Sequence, residues 1–240
     1  MGLQILQNLE SEERIEIPQQ VHNIYGVIEK RFAEHKDWKR MHESTLWKQL
    51  CLCILSSNVN FESAKSALKH LTRTGFLNSE FILNKSSSQK IIACELAKPL
   101  YLPQKIDGTL RKYRFPKIRS KNIVDAAFTI YGDGVSLRNT LHDLSSEIDA
   151  RNFIAKNISG LGLKESSHFL RNIKFSTSLA IIDVHIVSFL EDLGLILFDK
   201  RVISQNEYLL LERLMQKISE LNGMNLSILD NAIWYYMKYR

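Results

Sequence analysis

Residues that oblige a chain to turn are scarce in this sequence. Ten glycines and four prolines in 240 residues are about half of average usage, so few connections carry the backbone geometry that hairpins and tight loops demand. A many-stranded sandwich or barrel needs a turn signal about every ten residues and is excluded. The composition, 45% hydrophobic and 24% charged, also excludes disorder and fibrous repeats. Helical periodicity fills the space. Val21, Ile24, Tyr25, Ile28 and Phe32 recur at spacings of three and four over 18–38, one face of an amphipathic helix. Over 45–73 the apolar pattern predicts two helices broken at Ser56-Ser57-Asn58-Val59-Asn60, where short polar side chains compete for backbone hydrogen bonds. Shorter helical pieces follow, and from Ser146 the period strengthens again. About ten helices and no convincing strand predict an all-α fold.

Charge and cysteine content bound the partners. A formal net charge of +6 and a pI near 9.1 make a nucleic-acid partner worth testing. Cys51, Cys53 and Cys94 are the only cysteines, so a four-cysteine zinc or iron–sulfur site is impossible within one chain and no iron–sulfur cluster is expected. An odd cysteine number without a signal peptide fits reduced thiols and a cytoplasmic or nucleoid setting. No apolar run reaches the roughly 20 residues of a membrane helix, so no membrane partner is expected. None of the seven histidines forms a metal pair at helical spacing, and His168 and His185 read as structural or phosphate-adjacent.

The most informative passage is Ile158-Ser159-Gly160-Leu161-Gly162-Leu163-Lys164 between two helical stretches. Two glycines around a hydrophobic residue let the backbone turn and approach a ligand closely, while Leu161 plugs the space between the helices. The N–H groups of Gly160, Gly162, Lys164 and Glu165 at the start of the second helix suit a phosphate. A tight interhelical turn with no ligand is the plainer reading. Nucleotide-binding loops fail, because position 165 is Glu rather than Gly and no Gly-Lys-Ser/Thr occurs. Lys164 lies at the mouth of this hairpin, where the positive end of a helix dipole works against an ammonium; as an amine it is a nucleophile. Asp183 follows at the start of a later helix and is either an N-cap or a partner in that chemistry.

Ile-Ser-Gly-Leu-Gly-Leu-Lys-Glu-Ser-Ser-His-Phe-Leu-Arg-Asn at 158–172 with Leu-Ala-Ile-Ile-Asp-Val-His-Ile at 179–186 resembles the helix-hairpin-helix DNA glycosylases, most closely the 8-oxoguanine DNA glycosylase/AP lyase type 2 family. Leu52-Cys53-Ile54-Leu55-Ser56-Ser57-Asn58, Tyr113-Arg114-Phe115-Pro116 and Ile233-Trp234-Tyr235 agree with it. The resemblance implies two helical domains flanking a DNA-binding cleft: 1–40 with 175–240, carrying Asp183, and a central bundle at 41–174 with the helix-hairpin-helix at about 148–173. Charge around the cleft is expected from Arg114, Lys117, Arg119, Lys121 and Arg171.

It further implies a bifunctional repair enzyme acting as a monomer on double-stranded DNA with a damaged base. Lys164 matches the nucleophile that displaces 8-oxoguanine and leaves a Schiff base for β-elimination, and Asp183 matches the carboxylate that stabilises the cationic sugar. Monofunctional relatives lack that lysine. The base must leave the stack; Phe115 and Trp234 match the aromatics that sandwich it, and Asn58 matches the polar residue that fills the vacated position. For these three the plainer readings are core packing and a helix break. No cofactor is required, although main-chain carbonyls of Lys156, Ile158 and Leu161 match a site for potassium or sodium. One departure lies past Trp234, where the family carries a terminal lysine that recognises the oxidised base. This sequence ends Met237-Lys238-Tyr239-Arg240, so Lys238 or the Arg240 carboxylate is the candidate substitute. The segment 1–16, with Glu10, Glu12, Glu13 and Glu16, has no counterpart and is expected to lie away from the cleft. A glycosylase for another damaged or mispaired base, or a non-catalytic protein binding DNA structure, are the alternatives.

Overall fold

The computed structural model describes residues 3–5, 15–34, 37–198 and 203–240, so Glu10, Glu12 and Glu13 of the acidic opening lie outside the described residues. In chain order the elements are β1 (Gln4–Ile5), α1 (Gln19–Glu34), α2 (Glu43–Ser56), α3 (Phe61–Arg73), α4 (Ser79–Asn84), α5 (Ser88–Leu96), α6 (Pro116–Tyr131), α7 (Leu137–His142), α8 (Glu147–Asn157), α9 (Leu163–Asn172), α10 (Val184–Asp192), β2 (Ile196–Leu197), α11 (Gln205–Leu221) and α12 (Leu226–Tyr239). The chain divides into two compact units, Asp37–Ile173 and Met1–Lys36 with Lys174–Arg240.

The Asp37–Ile173 unit is built on α2. That helix buries Leu46, Trp47 and every residue from Leu50 to Leu55, and a helix apolar around its circumference has to be central. It packs against α3, α6, α7 and α9. The break read from Ser56–Asn60 is present, and Asn60 starts α3 by accepting from the N–H groups of Glu62 at 2.9 Å and Ser63 at 3.4 Å. The stretch after Pro116, read as a short piece, is instead the 16-residue α6. Proline at its first turn removes an N–H that a helix leaves unpaired there anyway. Arg119 and Asn122 extend its buried stripe beyond the apolar residues.

In the second unit α1 packs on α12, and α12 also meets α10 and α11. Within the brief apolar run at 178–182, residues 179–182 are buried without being helical. Buried backbone outside a helix still requires hydrogen-bond partners, and polar side chains of α11 and α12 provide them. Ala180 N donates to Glu212 Oε1 at 3.2 Å and Ile181 N to Asp230 Oδ2 at 2.8 Å. Tyr208 accepts from Ile182 N at 3.5 Å and donates its hydroxyl to Ala180 O at 2.8 Å. This brace fixes the chain immediately before Asp183. Where no strand was expected, β1 and β2 pair antiparallel, Gln4 with Leu197 and Ile5 with Ile196; two residues are too few to carry an alternating pattern.

Asp230 is 2% exposed. Asp230→Ala strands a buried amide and is expected to destabilise the protein by about 3 kcal/mol, read as a lower urea midpoint at unchanged slope.

Candidate functional site

The hairpin between α8 and α9 forms as read. Ile158 ends α8, its carbonyl accepting from Leu161 N at 3.2 Å, and both side chains are buried, so Leu161 is the plug between the helices. The two glycines differ in what they are for. Gly160 has φ +84, and a Cβ there would lie 2.0 Å from Asn122 Nδ2 and 3.1 Å from Arg119 Nη1; no other residue fits. Gly162 is extended, φ −99, and a Cβ there meets only Glu165 Oε2 at 3.6 Å. Nothing inside the unit demands glycine at 162, which leaves approach from outside as its reason. No side chain caps α9. Its first ladder bond, Ser166 N to Gly162 O at 3.0 Å, leaves the N–H groups of Leu163, Lys164 and Glu165 ahead of the ladder.

Lys164 stands on that first turn with its side chain 43% exposed and Nζ 4.0 Å from Glu165 Oε1. The ionisable groups beneath it are held neutral. Burial, then the negative charge of Glu165, pushes the Cys53 thiol up to about 12. Burial, then Arg171 and Lys164, pulls His168 down to about 3, where it packs 6.4 Å from the Phe61 ring. Lys156, on the last turn of α8, is exposed.

A second cluster of the same unit forms where α2 ends. Asn58 is exposed with φ +56, a conformation asparagine tolerates better than most residues. The carbonyls around it are engaged by one short stretch of chain: Tyr113 donates to Leu55 O, Arg119 Nη2 to Ser57 O at 2.6 Å and Arg114 Nη1 to Asn58 O at 3.4 Å. Phe115, half-buried, lies under both guanidinium groups, 4.8 Å from that of Arg114 and 5.9 Å from that of Arg119. Asn58, Phe115 and Gly160 are thus joined through Arg114 and Arg119. A groove of about 720 Å³ opens beside the turn, lined by Val59, Pro103, Lys105, Arg111, Lys112 and Arg114 among others. The expected surface charge needs one correction. Arg114, Lys117 and Lys121 are exposed, but Lys121 pairs with Asp125 and Arg119 is 7% exposed, because it lies on the buried stripe of α6.

In the other unit, Asp183 caps α10, Oδ1 accepting from His185 N at 2.9 Å and Ile186 N at 3.1 Å. The cap uses one carboxylate oxygen. The His185 ring meets Trp234 edge-on at 6.0 Å, and Lys238 Nζ lies over the Trp234 ring at 4.3 Å. Lys238 is therefore the terminal cation placed beside Trp234. The Arg240 guanidinium, not the carboxylate, pairs with Asp192.

A family model described as 8-oxoguanine DNA glycosylase matches residues 85–224. The chain belongs to this family. The matched stretch includes Phe115, the hairpin, Lys164 and Asp183. The 8-oxoguanine DNA glycosylase/AP lyase of Sulfurisphaera tokodaii is 33% identical over 205 residues, 85% of this chain and 88% of that protein. Among solved structures, the Methanocaldococcus jannaschii 8-oxoguanine glycosylase/lyase bound to a 15mer DNA containing 8-oxoguanine superposes with TM-score 0.74 at 28% identity, covering 92% of this chain and 97% of that one. The 8-oxoguanine DNA glycosylase of Thermotoga maritima gives TM-score 0.70 at 26% identity, with 92% and 96% covered.

Among the described residues of this glycosylase-family chain, no group of three or more His, Cys, Asp or Glu side chains is placed to hold a metal ion, and no helix is long and apolar enough to cross a membrane. Sequence reading missed the joint roles of Tyr113, Arg119 and Asn122. The signal existed for two of them: 119, 122, 123, 126, 127 and 130 form one helical stripe of buried positions, and polar residues on an otherwise apolar stripe mark built interactions.

Two outcomes follow from this geometry. Gly160→Ala should lower stability by about 2 kcal/mol or more, from left-handed strain and the clash with Asn122, whereas Gly162→Ala should melt like wild type. His168 is neutral when folded but takes a proton near pH 6.5 when unfolded, so its contribution is complete above that pH and is lost as pH falls toward 3. Urea midpoints measured from pH 7 to pH 4 should fall less steeply for His168→Gln than for wild type.

Proposed function

We propose that Lys164 and Asp183 carry the chemistry of a DNA glycosylase/AP lyase that excises 8-oxoguanine from duplex DNA and then cuts the strand, acting as a monomer. Membership of the family supports the two activities, and the presence of Lys164 on the first turn of an uncapped helix, behind a glycine with room for a ligand, is the observation that carries the assignment. The N–H groups at 163–165 and the extended Gly162 suit a DNA phosphate, which would bring the backbone to the mouth of the hairpin without reading sequence.

The reaction then follows from the groups available. Lys164 Nζ, as the free amine, bonds to C1′ of the damaged nucleotide while the bond from C1′ to the base nitrogen breaks, its electron pair leaving with the base, which is protonated. Loss of a proton from the adduct nitrogen frees the lone pair that forms the C1′=N bond of an iminium as the C1′–O4′ bond breaks and O4′ takes up a proton. Removal of a C2′ proton gives the C1′=C2′ enamine with the electron pair on nitrogen; that pair re-forms C1′=N as C2′=C3′ forms, and the C3′–O bond breaks with its electrons leaving on the 3′ phosphate. Asp183 is assigned to offset the positive charge that develops on the sugar as the base departs; its Oδ1 keeps α10 capped, which leaves the other oxygen for that role. Phe115 and Trp234 are assigned to the extruded base and Asn58 to the gap it leaves. Lys238, held over Trp234, is assigned to recognition of the oxidised base. The Cys53 thiol and the His168 imidazole beneath α9 are not in their nucleophilic or acidic forms near neutral pH.

A potassium or sodium ion is assigned to the carbonyls of Lys156, Ile158 and Leu161. Three main-chain oxygens are hard donors that fit such an ion, and Ile158 O, which already accepts from Leu161 N, retains a second lone pair. When bound, the ion would add positive charge next to the phosphate.

Borohydride should trap a covalent complex with duplexes containing 8-oxoguanine or an abasic site, and Lys164→Gln should abolish it. Asp183→Asn keeps a good helix cap, so its melting temperature should match wild type while base release slows on the order of a hundredfold or more. Absence of any adduct with wild-type protein on both duplexes overturns the assignment.

A further inference from the structure

Arg119 is a buried cation on the core face of α6. It is 7% exposed, and among the described residues no carboxylate pairs with it. Its surroundings are neutral: Ser57 O at 2.6 Å from Nη2, the Tyr113 hydroxyl, the Phe115 ring, and Asn122, whose amide, turned to satisfy its neighbours, accepts from Nη1 at 3.2 Å and donates to Ile118 O. Nε is buried with no partner. Removing a guanidinium from water with no counter-charge is costly, and a simple hydrogen-bond clamp would not need a charge. On its Nη1 side the group abuts Gly160, where even a Cβ would come within 3.1 Å. The missing anion therefore has an obvious place, on the far side of the hairpin backbone, where the N–H groups of α9 begin.

We infer that Arg119 is a positioning residue whose charge is completed by the DNA phosphate at the hairpin, and whose fixed fork ties that phosphate site to the Asn58 turn and to Phe115. This rests on the function proposed above. Phosphate arriving at 160–165 is attracted by a cation that cannot move away, since Ser57 O and Asn122 hold both terminal nitrogens. The same two bonds transmit the position of the bound backbone to the residues assigned to the gap and to the extruded base. Charge and fork geometry are separable contributions, because lysine supplies the first and not the second.

The test uses full-length protein and two probes. One is a labelled duplex with a single tetrahydrofuran abasic analogue, which has no aldehyde and reports binding alone. The other is an 8-oxoguanine duplex, followed for base release under single-turnover conditions. Arg119→Met, which keeps the stem and removes the charge, should weaken tetrahydrofuran-duplex binding roughly tenfold. Arg119→Lys should bind within about threefold of wild type yet release base on the order of tenfold more slowly, because one ammonium cannot reach Ser57 O and the Asn122 amide beside Gly160 together. A role confined to stability would lower the melting temperature of both variants while leaving Kd and release rate of the folded protein at wild-type values, and that result overturns the proposal. Should neither variant fold, Asn122→Ala decides: it leaves the cation and removes the amide that holds Nη1 beside Gly160, so slower release supports the coupling and wild-type release overturns it. Wild-type protein that binds the tetrahydrofuran duplex but releases no 8-oxoguanine would refute the proposed activity and leave the binding arm of this test intact.

Discussion

The last carbonyl groups of α2 leave the end of a helix that is buried over its final turns, and they have to be hydrogen-bonded where water does not reach. Leu55 and Ser57 find their donors in Tyr113 and Arg119, and Arg114 reaches the exposed Asn58 carbonyl beside them, all within seven residues of one another around the start of α6. Much else follows from that requirement. Once Arg119 turns inward to reach Ser57, it lies on the core face of α6 and its guanidinium meets the hairpin at Gly160. Phe115, between Arg114 and Arg119 in sequence, is left with its ring under both cations. A demand for backbone satisfaction at the end of a core helix thereby assembles the surroundings of three residues assigned to DNA.

The two hairpin glycines divide the work of fold and function. Gly160 is fixed by the interior: a positive φ and the Asn122 amide exclude a side chain. Gly162 is not, and the space in front of it is what a phosphate needs to reach the N–H groups of α9. Asp183 shows the same overlap in a single side chain. Its plainer reading as an N-cap holds, with Oδ1 on two backbone N–H groups, and the cap is what holds the carboxylate in one orientation. The structural role and the one proposed for its chemistry use the two oxygens of one fixed carboxylate.

The helices were legible because period and punctuation agree: the Ser56–Asn60 break, the Asp183 helix start and the hairpin all follow from local residue types. The motif residues Lys164, Gly160 and Asp183 were legible because their spacing is specific. What was not legible depends on long-range partners. Arg119 reads as a solvated charge until Ser57, 62 positions earlier in sequence, is known to need a donor. Glu212 and Asp230 read as surface acids until the non-helical run at 180–182 presents its N–H groups to them. In each case the helical stripe held the clue, a polar residue at a position whose neighbours three and four away are buried. Composition could not supply the missing element, because the partner is a backbone atom and carries no residue signature.

The ground beneath α9 bears on which group does the chemistry. A thiol is intrinsically a better nucleophile than an amine once ionised, and Cys53 lies close enough to Lys164 for their charges to interact. Burial and the Glu165 carboxylate keep that thiol protonated, pushed up to about 12, so it cannot compete. His168 is likewise held neutral, and a neutral imidazole adds no positive charge beneath the start of α9. A cation there would strengthen phosphate binding but would also repel the positive sugar as the base departs. The role proposed for Arg119 instead places a fixed charge behind the hairpin backbone at Gly160, where it favours a phosphate on the other side.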